Sequence, residues 1–305
     1  MPSELTRPDS IVLLNRSTQS FEKVARVASA IQQQVLQHLR PLWGAFATII
    51  ARKSGESLPD NSWVVYLTDK LDDPRLAGVH YYTPGGKPYA TVATDEKNWS
   101  IAASHEVLEM LTDPKTDTFR RANDPNGEVG LVDYLLEVCD PCQHDSCAYF
   151  IEDVMVSDFY GPDYFNTHIG EGRLSMNDKI RRPLQILPGG YVSFRDARGD
   201  MYIATADGTE KADYRRITGF QKLPGDTVRE QVDFYTASMK DVGYFVRLPK
   251  KKAKKSKPTA SDIPMGFGSK KSESEEDVHI RHFEELSERV KIFDQEQAKQ
   301  GKRGK

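Results

Sequence analysis

An amphipathic stretch set behind a short apolar run constrains this chain most. "SIVLLN" (10–15) is followed by "STQSFEKVARVASAIQQQVLQHLRPLWG", in which Phe21, Val24, Val27, Ala28, Ile31 and Val35 recur at spacings of three and four. That spacing gathers them on one stripe of an α-helix. Ser17 or Ser20 can cap its start, and Pro41 predicts an end near Leu39–Arg40, because the residue before a proline is pushed out of helical geometry. Further strands are predicted over "AFATIIA" (45–51) and "SWVVYLTD" (62–69), with the turn-rich "RKSGESLPDN" between them. In "AGVHYYTPGGKPYATVAT" (77–94) two β-prone runs flank Thr83–Lys87, a hairpin signal. "NWSIAASHEVLEMLTD" then carries Ile101, Val107, Leu108 and Leu111 at helical offsets and ends at Asp113-Pro114. The order strand–helix–strand–strand–hairpin–helix predicts an α+β fold with an α/β-like mixed sheet.

Residues 115–133 are polar and read as loop. "YLLEVCDPC" and "AYFIEDVMVSDF" read as strand-like runs, and 170–248 as small hairpins from "RPLQILPGGYVSFRD", "DMYIATADG" and "YFVRLP". The domain is expected to span 1–248. From 249 the composition shifts to lysine, proline, glycine and serine, which cannot bury enough apolar surface to fold alone, so 249–274 reads as a flexible linker. Residues 275–299 place Ile280, Phe283, Leu286, Val290 and Phe293 on one helical stripe. A lone amphipathic helix needs a surface: its own domain, a second copy of the chain, or a partner protein.

Composition excludes little. The 305 residues are 38% hydrophobic and 29% charged, with a net charge of −3, so no global imbalance calls for nucleic acid. "KKKAKKSK" is a candidate contact for nucleic acid, an anionic membrane or an import receptor. It lacks interleaved aromatics and precedes an acidic run, so it reads as a solubilising tether. No run reaches the roughly 18–20 apolar residues of a membrane span, and "MPSELTRPDSIVLLN" has no signal-peptide pattern. A cytoplasmic protein is expected. Three clustered cysteines, Cys139, Cys142 and Cys147, suit a reducing compartment rather than a disulfide framework.

The chemistry-bearing motif is "SHEVLEMLTDP". On a helix His105 and Glu109 share a face, four residues apart, and Glu106 projects about 100° away around the axis. This is the H-E-x-x-H arrangement of zinc hydrolases with the second histidine replaced by glutamate. Zinc accepts His, Asp and Glu, and the more anionic site also admits manganese or iron. The competing reading is a solvated acidic helix face. Downstream stands "EVCDPC", with Glu137, Asp140 and Cys142.

Together, S-H-E-x-x-E-x-x-x-D-P, E-x-x-D-x-C and "VMVSDFYGPDYF" resemble a zincin-like H-E-x-x-E family of bacteria, phages and fungi, with motif similarity to the plant Exordium (phosphate-induced) proteins. The resemblance covers roughly residues 10–200. It implies a zincin-type fold, a sheet with an active-site helix beneath its edge strand. It also implies metal ligands His105 and Glu109, a third ligand from Asp140 or else Glu137, and Glu106 as general base. In zincins the edge strand runs alongside bound peptide, so His80 or Tyr81 is a candidate to polarise an oxyanion.

Other constellations compete. Cys139, Cys142, His144 and Cys147 could form a structural zinc knuckle beside such a site, since Asp140 on a strand would point away from its neighbours. His168 reads as a loop residue. Asp113, Asp117 and Asp124 match no established calcium loop and read as solvated. Two functions are therefore expected as alternatives. One is a zinc- or manganese-dependent metallopeptidase-like hydrolase acting on a peptide or protein. The other is an inactive zincin-shaped binding protein with a structural or vestigial metal, working through its terminal helix.

Overall fold

In the computed structural model the chain divides into two units, Met1–Arg247 and Leu248–Lys305. The residues described are 7–72, 76–82, 87–95, 97–206, 211–217, 228 and 232. The expected linker, the terminal helix, the Thr83–Gly86 turn and "YFVRLP" lie outside them. The described part is a mixed α+β fold. No helix among these residues is long and apolar enough to cross a membrane.

The first sheet contains β1 (Ser10–Asn15), β2 (Thr48–Lys53), β3 (Ser62–Thr68), β4 (Gly78–Tyr82) and β5 (Pro88–Ala93), in the order β2-β1-β3-β5-β4. The first four in that order run parallel, and β4 joins β5 antiparallel. β1, β3 and β5 are buried on both faces, which explains their nearly unbroken apolar runs. One face, with Ile11, Leu13, Val65, Leu67, Ala90 and Val92, belongs to the main core. Helices α1 (Phe21–Gln33) and α3 (Trp99–Thr112) pack on the sheet and touch one another.

Ser20 caps α1, accepting the Lys23 N–H. Pro41 does not end the helix as expected. Helical backbone continues through a widened turn at Gln34–Leu39, where Arg40 N–H bonds to Val35 O, five residues back, and into α2 (Arg40–Trp43). The wider ring accommodates the proline, which lacks an N–H and would otherwise crowd the carbonyl one turn back. The stop is Gly44, whose φ of 66° suits glycine and whose N–H bonds to Arg40 O.

A second sheet, wholly antiparallel, has the order β12-β11-β10-β7-β6. Its strands are β6 (Phe119–Asn123), β7 (Leu131–Leu135), β10 (Tyr191–Arg195), β11 (Met201–Thr205) and β12 (Asp213–Arg216). A hairpin of β8 (Tyr149–Ile151) and β9 (Val154–Val156) packs against α1 and α3. The β6–β7 hairpin corrects the expectation of loop over 115–133. Arg120, Arg121 and Asn123 of β6 and Leu131 of β7 are exposed, so it carries no clean apolar alternation. Asp124 defines the connecting turn. Its carboxylate accepts the amides of Asn126 (3.1 Å), Glu128 (3.1 Å), Val129 (2.8 Å) and Gly130 (2.9 Å), and the Tyr214 hydroxyl from β12. Far from being solvated, Asp124 ties a turn to the far edge of its own sheet. Charged acceptors make strong hydrogen bonds, so Asp124→Ala is expected to lower stability by about 2–4 kcal/mol in chemical denaturation. An unchanged midpoint would show that the turn holds without it.

Candidate metal centre

Helix α3 carries the site because it is enclosed on all sides. It packs against β4, β5 and β9, and every residue from Trp99 to Met110 except Ser100 is buried. Ser104 Oγ accepts the Ser157 N–H at 2.8 Å, fixing the helix against the segment after β9. Three ionisable side chains therefore sit in the interior: His105, Glu106 and Glu109 are at most 2% exposed. Ionised groups are costly to bury without compensation, so a solvated acidic face is excluded as their description.

The structure brings all six sequence-predicted residues together. β4 supplies His80, whose register partner is Ala90 on the core face of the sheet. His80 Nδ1 lies 3.0 Å from Glu106 Oε2 and 3.8 Å from Glu109 Oε2. His105 Nε2 lies 3.1 Å from Glu109 Oε2 and 3.4 Å from Asp140 Oδ1. Glu109 Oε1 accepts the Cys139 N–H at 3.2 Å, which orients the carboxylate. Three sets of possible ligands form, each with its donor atoms within 4.8 Å: His80, Glu106 and Glu109; His105, Glu109 and Cys139; and Glu109, Glu137 and Asp140. Glu109 belongs to all three. Burial alone would lower the His105 pKa, but the charges of Glu109, Asp140 and Glu106 outweigh it and raise it to about 10. The pocket favours a positive charge.

Two glycines make room for this geometry. A Cβ on Gly78 would stand 2.7 Å from Glu106 Oε1, so only glycine lets Glu106 lie against β4. A Cβ on Gly190 would stand 2.4 Å from Pro141 O and 2.8 Å from Asp140 O. With Leu187 N–H bonding to Pro141 O and Gln143 Nε2 to Gly189 O, this close approach clamps the Asp140 segment to the head of β10. Asp140 is not on a strand as expected. β7 stops at Leu135, and Asp140–Cys142 is a single tight turn that begins the way a proline permits.

Several readings are corrected. Tyr81 faces away from the site, packing on Tyr89 at 5.4 Å between centroids. His80 reaches Glu106 rather than an open oxyanion position. The cysteine knuckle does not assemble. Among the described residues Cys142, His144 and Cys147 join no ligand cluster, and Cys139 groups instead with His105 and Glu109. His144 caps its own turn, accepting the Ser146 N–H. Burial pushes the Cys139 and Cys142 thiols well up, so both stay protonated. Asp113 is buried and accepts the Thr118 N–H at the end of α3, so it is not a solvated loop carboxylate. His168 is exposed and stays outside every cluster.

Sequence reasoning missed Asp158, which is fully buried. It accepts the Ser175 hydroxyl and the amides of Phe159 and Asn177, tying the segment after β9 to the loop at 175–177. The "VSDF" motif gave its position but no sign of burial. Burial outweighs those hydrogen bonds and pushes its carboxyl from 3.8 up to about 6. The folded state thus holds this proton more tightly than the unfolded chain. The group's contribution to stability is full below its unfolded pKa and is lost as pH rises through about 6. Asp158→Asn should therefore remove about 2 kcal/mol of the stability change between pH 4 and 7. Denaturation midpoints of both proteins across that range will check this. Parallel curves would show that the shift is absent.

Compared with family models, curated proteins and solved structures, the chain matches none of them.

Proposed function

We propose that this chain holds a divalent transition ion, zinc or manganese, on His105, Glu109 and Asp140, with Glu137 beside them, and acts as a metallopeptidase-like hydrolase. The spacing of the donor atoms carries the reading. Ligands 2.0–2.1 Å from a tetrahedral zinc lie about 3.3 Å apart. His105 Nε2 stands 3.1 Å from Glu109 Oε2 and 3.4 Å from Asp140 Oδ1. A His–Glu–Asp set is hard enough to take manganese as well. The surroundings support a zincin-like frame. A mixed sheet ends in an antiparallel edge strand, β4, and the helix bearing H-E-x-x-E packs against that strand. This agrees with the H-E-x-x-E resemblance in the sequence.

A bound ion supplies Lewis acidity to a reacting carbonyl. Glu106 is the general base, taking a proton from the attacking water. His80 is a positioning residue: Nδ1, 3.0 Å from Glu106 Oε2, fixes the direction of that carboxylate. A peptide substrate would lie along β4, which has one strand neighbour, β5, among the described residues.

The second reading, a zincin-shaped binding protein with a structural ion, also has an observation in its favour. All six candidate side chains are at most 4% exposed. A cleft of about 240 Å³ beside Trp63 and Leu111, and another of about 320 Å³ beside Pro183 and Lys211, include none of them.

Elemental analysis of purified protein should find stoichiometric metal that is lost in His105→Ala. Metal-free wild-type protein would overturn both readings. Glu106→Gln should keep the ion on His105, Glu109 and Asp140 and lose turnover of a peptide library by about 10²–10⁴-fold, the usual contribution of a general base. Metal bound with no turnover in either protein would select the structural reading.

A further inference from the structure

The six side chains exceed what one ion needs, and the arrangement of the three on α3 suggests why. Taking His105 as zero, a helical turn of 3.6 residues puts Glu106 at about 100° and Glu109 at about 40°. Glu109 therefore stands between two directions. On one side it meets His105, with Asp140 and Glu137 arriving from the segment clamped to β10. On the other it meets Glu106 and His80. Its Oε2 is 3.1 Å from His105 Nε2 and 3.8 Å from His80 Nδ1, so one oxygen faces both half-sites.

We propose that this is a two-ion centre bridged by Glu109. The inference rests on the first ion proposed above. A second ion sits among His80, Glu106 and Glu109, whose donor atoms already lie within 4.8 Å of one another. His80 gives the independent sign of a ligand. It is 0% exposed, its Nε2 has no hydrogen-bond partner, and among the described residues its ion-pair contacts run only to Glu106 and Glu109. Nδ1 is the ring atom that faces the cluster, 3.0 Å from Glu106 Oε2 and 3.8 Å from Glu109 Oε2. Gly78 keeps open the space that seats Glu106 beside it. Four carboxylates and two imidazoles are also the donor set that holds paired ions in carboxylate-bridged centres. The formal charge of four carboxylates equals that of two divalent ions. Ions about 3.5–4 Å apart clamp both the attacking and the leaving oxygen of a displacement, which recasts Glu106 from free base to ligand.

The test uses full-length protein stripped with chelator, reloaded with manganese and dialysed. Elemental analysis should give two manganese ions per chain, and the low-temperature electron paramagnetic resonance spectrum should show exchange coupling between them. His80→Ala should drop the count to one and leave an isolated-ion spectrum. One ion with an isolated-ion spectrum in the wild type overturns the two-ion centre and leaves the single-ion proposal standing. No bound ion overturns both. Two ions without exchange coupling, or two ions retained in His80→Ala, overturn the Glu109-bridged arrangement. If His80→Ala does not fold, the wild-type count and spectrum decide alone.

Discussion

The burial of the Glu109 carboxylate is the constraint around which the rest of the fold is arranged. An ionised group with no access to water must be held by dipoles and opposite charge. One oxygen is satisfied by the Cys139 amide and the other faces His105 and His80. Keeping those three partners in place requires an enclosed helix, a strand alongside it, and a loop brought in from 30 residues further down the chain. The mixed first sheet, the β8–β9 hairpin and the Asp140 turn each supply one wall.

Those walls differ in stiffness. The β4 and α3 contributions come from regular elements whose registers are set by hydrogen bonds. The Asp140 contribution comes from irregular backbone, and irregular backbone holds position only when it is tied down. Gly190 and the Leu187 amide do this, with Pro141 limiting the turn's own freedom. A site built this way places its precision in contacts that carry no donor atoms.

Much of the first half was legible in the sequence. β1, α1, β3, the β4–β5 hairpin and α3 follow from apolar spacing, because each buries a continuous face and burial imposes period. The β6–β7 hairpin was not legible, since its exposed residues dilute the alternation and its stability comes from one carboxylate closing a turn. The passage of the helix through Pro41 was hidden for a different reason. Local rules forbid it, and packing against the sheet overrides them. Within the site, the residue types and the i, i+4 spacing pointed to His105 and Glu109. Nothing in the spacing showed that Gly78 and Gly190 make the room, because a glycine's role depends on what approaches it in space.

The donors come from positions 80, 105 to 109 and 137 to 140, and the last of these is clamped by Gly190. A nascent chain therefore exposes the H-E-x-x-E helix long before the strand that seats the Asp140 turn has left the ribosome. Until β10 docks, the early donors are two histidines and two glutamates with no third wall. Were an ion held as proposed, its capture would be a late event, and it would join β4 of the first sheet to the turn clamped at the head of β10 in the second. Such an ion would act as a kinetic latch, making the two sheets open together rather than one at a time.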